Sequence, residues 1–279
     1  MRVIGVGDNV VDKYLYKKTM YPGGNALNFS VYAKQLGVES AHLGVFGNDR
    51  AAEHIIKTMK SLHSDISRCR QYHGENGYAE VDLVDGDRVF IGGNGGGVQK
   101  DHPIVLSKED LDYIKTFEMV HTSIYSRIEP ELPKLKDTGI LVSYDFSSDY
   151  TDEMLKRTSK YVDVSLLSCG HLSVDETENL LKRVASFGSQ LVIGTLGSRG
   201  SIVYDGRSFY RQEPHDVKPM DTLGAGNTPI SSSRWMRLPM NPLKTNSASS
   251  SAAPMYRTLC FLGQVNLPGN SFVRGQPWI

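Results

Sequence analysis

The feature of this sequence that most constrains its fold is the alternation of short apolar runs with segments of helical period. The runs predict strands at residues 3–6, 43–46, 119–122, 140–144, 162–167 and 191–195. Strands that alternate with helices of ordinary length form βαβ units, and such units build a mainly parallel sheet covered on both faces. We therefore expect an α/β fold with one large domain.

The helices between these strands have recognisable ends. Ser173 with Glu176 three residues later predicts a capping box, and residues 25–36 place their apolar side chains on one stripe before Gly37. Asp49 is expected to open a further helix, because a short acidic side chain can accept hydrogen bonds from the first free amides of a helix.

One segment interrupts the alternation of strands and helices. Residues 78–84 alternate polar and apolar side chains, Asp85-Gly86 is a turn signal, and residues 87–91 return. A hairpin of this kind does not belong in a parallel sheet, so we expect either a small projecting lid or an edge hairpin. The glycine-rich residues 92–97 are expected to provide a flexible return.

The charge balance argues against nucleic acid or an acidic membrane surface as a partner, because 31 basic residues are matched by 31 acidic ones. No apolar run approaches the length of a membrane span, and a cytoplasmic protein with a small-molecule ligand is expected. The three cysteines are widely spaced, which disfavours disulfides and metal pairs, and the histidines show no zinc-binding pattern.

The loop at residues 221–227, Asp-Thr-Leu-Gly-Ala-Gly-Asn, has the composition of an anion cradle. Small residues let backbone amides approach a phosphate, and a helix start adds a positive dipole end. A Gly-Ala-Gly triplet by itself is more often a simple turn. The last residue, Asn227, has the shape of an aspartate but cannot accept a proton as a carboxylate can.

Six of these seven residues match the Asp-Thr-x-Gly-Ala-Gly-Asp signature, so the chain resembles the ribokinase-like (PfkB-type) carbohydrate kinases. The resemblance covers residues 1–226 and is strongest to the fructoselysine 6-kinases. It is carried by residues 7–12, 22–28, 85–90 and 144–147. It implies a three-layer αβα domain over residues 1–227, with a small β-sheet lid formed by segments at about 12–20 and 76–98.

The resemblance also implies residues for the sugar. Asp12 would accept hydrogen bonds from sugar hydroxyls, and Gly23 and Gly24 would permit close backbone approach beside Asn25 and Asn28. A carboxylate offers several acceptor sites, and ligands of open α/β sheets bind at the carboxyl ends of the strands. From the residues alone, Asp12 is equally well explained as a turn residue, and Asn25 as a helix cap.

For the nucleotide, the resemblance implies Thr195, Gly197 and Gly200, together with Asp221 and Thr222 near ATP or a monovalent cation such as K⁺. Asp221 is the expected metal-site residue, and Mg²⁺ would be held mostly by phosphate and water. Gly224, Ala225 and Gly226 would hold the transferred phosphoryl group, with Asn227 at the base position. A tight turn between strands would also explain the glycines at 197 and 200. The family's Asn-x-x-Glu is replaced here by residues 168–171, and a usual glycine by Ala52.

The segment 228–279 does not match the family. It contains no Asp or Glu, six of the 12 prolines and both tryptophans, a composition that cannot sustain long helices. We expect a divergent C-terminal tail, translated from a shifted reading frame; the alternative is a natural but diverged C-terminus.

The expected function is phosphorylation by ATP of a sugar hydroxyl, with the 6-hydroxyl of fructoselysine or a related sugar-amine as the leading candidate. Another sugar or nucleoside kinase of the family and a catalytically inactive sugar-binding protein are the alternatives. A nicotinamide-dependent enzyme is disfavoured because no Gly-x-Gly-x-x-Gly follows the first strand. Members of the family dimerise through their lids, and the alternate apolar positions Ala79, Val81 and Leu83 are compatible with a homodimer.

Overall fold

The computed structural model describes residues 2–84, 87–213 and 276–277. In chain order the strands are β1 (Arg2–Val6), β2 (Val10–Tyr14), β3 (Thr19–Gly23), β4 (Glu39–Leu43), β5 (Val45–Phe46), β6 (Arg70–Gln71), β7 (Gly77–Val84), β8 (Asp87–Gly93), β9 (Met119–Ser123), β10 (Leu141–Asp145), β11 (Val164–Ser168), β12 (Leu191–Thr195), β13 (Ser201–Tyr204), β14 (Phe209–Gln212) and β15 (Gln276–Pro277). The helices are α1 (Asn25–Gln35), α2 (Arg50–Ser61), α3 (Lys108–Ile114), α4 (Leu132–Asp137), α5 (Asp152–Ser159) and α6 (Val174–Ser186).

The central sheet has eight strands in the order β14-β13-β12-β11-β10-β9-β1-β4. From β12 to β4 all neighbouring strands are parallel, and β13 and β14 add an antiparallel edge. Two buried apolar clusters cover opposite faces, because Val3 belongs to one and its neighbour Ile4 to the other. Helix α1 packs on the first face through Phe29, and α6 on the second through Leu181. The predicted α/β class is confirmed.

The predicted helix starts are confirmed by their caps. The Ser173 hydroxyl accepts the amide of Glu176, and the Glu176 carboxylate accepts the amide of Ser173 in return. The Asp49 carboxylate accepts the amide of Ala52 at 2.9 Å. Helix α1 ends where Gly37 takes a φ of 79°, a conformation that glycine adopts at little cost. None of the described helices is both long and apolar enough to cross a membrane.

A second, five-stranded sheet in the order β15-β3-β2-β7-β8 forms the lid. The hairpin predicted at residues 78–91 is β7 with β8, and β7 joins β2 in parallel. Residues 276–277 pair with β3 at the edge of this sheet, a position that tolerates Pro277 because an edge strand need not donate every amide. Val81 is fully buried within the chain, whereas Phe90 and Ile91 are exposed apolar side chains of the lid; dimerisation stays a prediction.

The strand predicted at residues 43–46 is wrong in its position. The central strand is β4, which ends at Leu43, and residues 45–46 form β5 in a separate two-stranded sheet with β6. Two buried polar residues on β4, Ser40 and His42, interrupt the apolar run by which the strand could have been predicted. The Ser40 hydroxyl donates to the backbone oxygen of Ser30, which satisfies its hydrogen bonding in the core.

Candidate functional site

The Asp8 carboxylate organises the carboxyl end of β1. Helix α1 has no side-chain cap of its own, and Asp8 accepts the amides of Asn25 at 2.5 Å and Ala26 at 3.3 Å instead. The hydroxyls of Ser123, the last residue of β9, and of Ser126, just after it, donate to the same carboxylate at 3.0 and 2.7 Å. A negative charge at a helix N-terminus is favourable, so this contact fixes α1 to the edge of the sheet.

The glycine pair before α1 is required by close approach and by backbone conformation. A Cβ atom on Gly23 would lie 2.5 Å from an Asp12 carboxylate oxygen, so Asp12 lies directly over this glycine. Gly24 has a φ of 103°, and a Cβ there would lie 2.8 Å from the backbone oxygen of Asp8. The structure therefore places Asp12 against Gly23, and Gly24 and Asn25 against Asp8, where β2 and β3 of the lid meet the central sheet.

Asn25 belongs to a buried hydrogen-bonded relay. Its amide nitrogen donates to Asp145 at 2.7 Å, and its amide oxygen lies 2.8 Å from Nε2 of His121. Nδ1 of His121 lies 3.0 Å from the Ser143 hydroxyl. Asn25 and His121 are each 2% exposed and Asp145 is 4% exposed. The relay thus joins α1 to β9 and β10 at the carboxyl edge.

The protonation of His121 follows from its partners. Burial lowers the pKa of His121 to about 3, so the ring is neutral near pH 7 and carries one proton. Because Asn25 donates through nitrogen to Asp145, its oxygen must accept, and Nε2 of His121 is the donor. Nδ1 then accepts from the Ser143 hydroxyl. Stacking of the ring on Phe29, with centroids 4.5 Å apart, holds the imidazole in this plane.

Asp145 ends β10 with a raised proton affinity. The pKa of this carboxyl is raised to about 6, chiefly by burial; the hydrogen bonds from Asn25 and the Ser147 amide oppose the rise, and the nearby charge of Asp8 adds to it. The Ser147 amide donates at 2.7 Å, from a residue whose φ of 52° lies in the left-handed region. A backbone held in this conformation at a sheet edge is often part of a binding site.

Asn28 lies one helical turn after Asn25. Its side chain is half-buried, and its backbone N–H donates to the backbone oxygen of Gly24 at 2.8 Å. Residues three apart on a helix share a face, so both asparagines point to the same side of the α1 N-terminus. The binding roles of Asp12, Asn25 and Asn28 stay predictions; the alternative of a cap by the Asn25 side chain is wrong, since Asp8 caps the helix.

The nucleotide-side residues form the turn between β12 and β13. Thr195 ends β12, Gly197 and Gly200 have φ values of 61° and 84°, and the amide of Leu196 donates to the oxygen of Gly200. The tight strand-to-strand turn that the sequence allowed is therefore present. Arg199 donates from this turn to the backbone oxygens of Gly170 and Leu172 after β11, which links it to the segment that replaces the family's Asn-x-x-Glu.

The two groups of residues share one edge of the sheet. Strand β10, which ends at Asp145, is separated from β12 by β11 alone. Since neighbouring strands are about 4.8 Å apart, the ends of β10 and β12 are roughly 10 Å apart, a separation that suits a sugar and a nucleotide binding side by side. Asp221, Thr222, Gly224, Ala225, Gly226 and Asn227 lie outside the described residues, as does the Asp85-Gly86 turn.

Sequence reasoning missed the residues that hold Asn25 and the start of α1 in place. Asp8, His121 and Ser143 had no assigned role, although Asp8 lies two residues after the end of β1 and His121 lies within β9. Their partners are distant in sequence, with His121 96 residues from Asn25. A lone polar residue inside a predicted parallel strand is the signal that could have identified His121.

Comparison with known proteins agrees with this geometry. A model of the pfkB family carbohydrate kinases matches residues 3–138. The chain is 42% identical to fructosamine kinase FrlD of Bacillus subtilis over 82% of this chain and 80% of that protein. It is 34% identical to fructoselysine 6-kinase of Escherichia coli over 80% and 84% of the two chains.

Solved structures show the same fold. Arabidopsis thaliana ribokinase, solved with ribose and ATP, superposes with a TM-score of 0.68 at 20% identity, over 81% of this chain and 82% of that one. Ribokinase from Thermotoga maritima superposes with a TM-score of 0.66 at 19% identity, over 82% of each chain. Together with the identities to the two kinases above, these comparisons establish that the chain belongs to the pfkB family of carbohydrate kinases.

Proposed function

We propose that this chain binds ATP and a sugar-amine of the fructoselysine type, and that its reaction is phosphorylation of the 6-hydroxyl of that sugar. The names of the two relatives, fructosamine kinase and fructoselysine 6-kinase, support the substrate class. The observation that carries the proposal is that Asp12 lies against Gly23, and Gly24 and Asn25 against Asp8, where the lid meets the central sheet.

On the sugar side, each residue has a physical role. The Asp12 carboxylate accepts hydrogen bonds from hydroxyls, and the paired glycines let the ring approach the backbone at the start of α1. Asn28 adds an amide that both donates and accepts. The lid strands β2 and β3 would exclude water from the reacting hydroxyl, which strengthens these contacts.

On the nucleotide side, the turn after Thr195 fits a ligand at its surface. A Cβ atom on Gly197 would meet nothing within 4 Å, so its backbone is open to a phosphate or ribose. When bound, ATP supplies the phosphoryl group and Mg²⁺ neutralises its charge; Asp221 and Thr222 are our candidates beside them, with a monovalent cation as a further proposal. Gly224, Ala225 and Gly226 would stabilise the transferred group by backbone amides.

Asn227 sets the expected rate. Phosphoryl transfer to a hydroxyl benefits from a carboxylate that takes the proton, and an amide cannot take it. Loss of a general base costs about 10²- to 10⁴-fold, so slow turnover is expected. The test is formation of ADP and of phosphorylated fructoselysine by the unaltered chain, with fructose as a comparison sugar. Rapid turnover would show that Asn227 is not at the proton-accepting position.

Asn227 also favours a second candidate, a sugar-binding protein without kinase activity. Calorimetric titration with fructoselysine and with ATP distinguishes the candidates. Binding of both ligands without turnover supports the second, and turnover supports the first. Binding of neither ligand contradicts both. Stronger binding of another sugar or of a nucleoside would assign the chain to a different member of the same family.

For residues 228–279 we propose translation from a shifted reading frame. The test is the other two frames of the gene after codon 226: an Asp-Ser pair followed by an apolar helix in either frame supports the proposal, and its absence from both contradicts it.

We further propose a homodimer through the lids, with the exposed Phe90 and Ile91 at the contact. Light scattering of the full chain and of a Phe90→Ser variant tests it; a monomeric unaltered chain contradicts it.

A further inference from the structure

Two buried carboxylates lie at the carboxyl edge, and they differ in how many of their acceptor sites are used. A carboxylate has about four acceptor positions. Asp8 accepts from Ser123, Ser126 and Ala26 at Oδ1 and from Asn25 at Oδ2, so four donors contact it.

Asp145 accepts from the Asn25 amide and the Ser147 backbone, both at 2.7 Å, and from no other group among the described residues. About half of its acceptor positions are therefore not used by the described residues. Asp145 differs in this respect from Asp8, whose hydrogen bonds serve the start of α1.

The orientation of Asp145 is fixed before any ligand arrives. Asn25 is held by Nε2 of His121, and His121 is held by the Ser143 hydroxyl. The Ser147 amide fixes the second oxygen of Asp145 from the turn after β10. Because both oxygens are already positioned, a ligand donor would meet a pre-organised acceptor and lose little free energy in ordering it.

The charge of Asp145 is not balanced by a cation. Within the part of the chain that the structure describes, no lysine, arginine or histidine forms an ion pair with it. Burial and the charge of Asp8 raise its pKa despite the hydrogen bonds from Asn25 and Ser147, so these two bonds compensate the ionised form only in part. A neutral polyol supplies hydrogen bonds alone, whereas a secondary ammonium supplies hydrogen bonds and the missing positive charge.

We infer that Asp145 is the acceptor for the secondary ammonium of a fructosamine, and that Ser143, His121 and Asn25 are positioning residues that aim its carboxylate. This inference rests on the proposed function, because it names the residue that binds the amine. The amine is the group that distinguishes a sugar-amine from a plain ketose. It gives the residues 144–147, which the sequence singled out, a role in selecting the substrate class.

Calorimetry of the full chain with fructoselysine and with fructose tests the inference. Replacing Asp145→Asn is expected to weaken fructoselysine binding about 10- to 100-fold, the usual cost of losing a hydrogen bond to a charged group, and fructose binding much less. The matched control is Asp149→Asn, which removes the same charge from an exposed carboxylate in the same loop, bonded to the Tyr125 hydroxyl. It should leave both affinities unchanged.

A second measurement needs no variant. The other titratable groups near Asp145 are Asp8 after β1, His121 on β9, Tyr125 after β9 and Tyr144 on β10. Burial keeps both phenols protonated by raising their pKa, and keeps His121 neutral by lowering its pKa. A cation that binds Asp145 at pH 6 should therefore release about half a proton, measured from the binding heat in buffers of different ionisation enthalpy.

The outcomes separate this inference from the proposed function. If the unaltered chain binds neither sugar, the proposed function fails. If it binds fructoselysine and Asp145→Asn binds it equally well, the ammonium assignment is overturned while sugar binding stands. Equal losses for fructose and fructoselysine would place Asp145 on the shared sugar hydroxyls and also overturn the assignment.

Discussion

Replacing Asp145 by asparagine should change how the stability of the protein depends on pH. Burial raises the pKa of this carboxyl from 3.8 to about 6 in the folded state. Between these values the folded protein binds a proton that the unfolded chain has released. Stability from this group is therefore complete below pH 3.8 and is lost as the pH rises through about 6.

The magnitude follows from the shift of the pKa. A shift of about two units corresponds to roughly 3 kcal/mol, of which about 2 to 2.5 kcal/mol falls between pH 4 and pH 7. The asparagine of Asp145→Asn does not titrate, so the variant lacks this pH-dependent part of the free energy of unfolding. It also places an amide nitrogen against the donor from Asn25 or from Ser147, which costs about 1–3 kcal/mol, but this cost is the same at every pH.

The assay is urea unfolding at a series of pH values, followed by circular dichroism, for the unaltered chain, Asp145→Asn and the control Asp149→Asn. The free energy of unfolding of Asp145→Asn, relative to the unaltered chain, should rise by about 2 kcal/mol from pH 4 to pH 7. Asp149→Asn should show no such rise, because this side chain is exposed. A relative stability of Asp145→Asn that stays constant over this range would refute a buried, uncompensated carboxylate.

Three further predictions concern the glycine pair, the sugar and the base position. Gly24→Ala should destabilise the protein by about 1–3 kcal/mol in urea unfolding, since its Cβ would lie 2.8 Å from the Asp8 backbone oxygen. The control is Gly37→Ala, where φ is 79° but no atom lies near the added Cβ, and it should cost about 1 kcal/mol. Equal costs for the two variants would contradict the close approach at Gly24. Asp12→Asn should weaken fructoselysine binding by about tenfold or more in calorimetry, and unaltered affinity would remove Asp12 from the site. Asn227→Asp alone should restore little ADP formation if residues 228–279 are out of frame, whereas full activity would show that the tail does not limit catalysis.

The architecture was predictable wherever apolar periodicity and capping residues agree. Strand β12 was expected at its observed bounds, and α6 begins at its capping box, because both signals depend on neighbouring residues. Strand β4 was displaced because Ser40 and His42 are buried polar residues in its centre. The Ser40 hydrogen bond to Ser30 depends on the packing of α1 against the sheet, which local pattern does not contain.

The candidate site was predictable only as a set of motifs. Asp12, Gly23, Gly24 and Asn25 were chosen by resemblance, and the structure brings them together. The contacts of Asn25 were not predictable, because Asp145 lies 120 residues away and meets it only when β10 is inserted into the sheet. Asn25 was expected to bind the sugar, and in the folded structure its side-chain amide also orients the buried carboxylate of Asp145.

The most direct test of the proposed site is a crystal structure of the full chain with fructoselysine bound. We predict the sugar hydroxyls within hydrogen-bonding distance of Asp12 and Asn28, and the secondary amine within hydrogen-bonding distance of Asp145. A sugar bound elsewhere on the protein, with Asp12 and Asp145 both free of contact, would contradict the account.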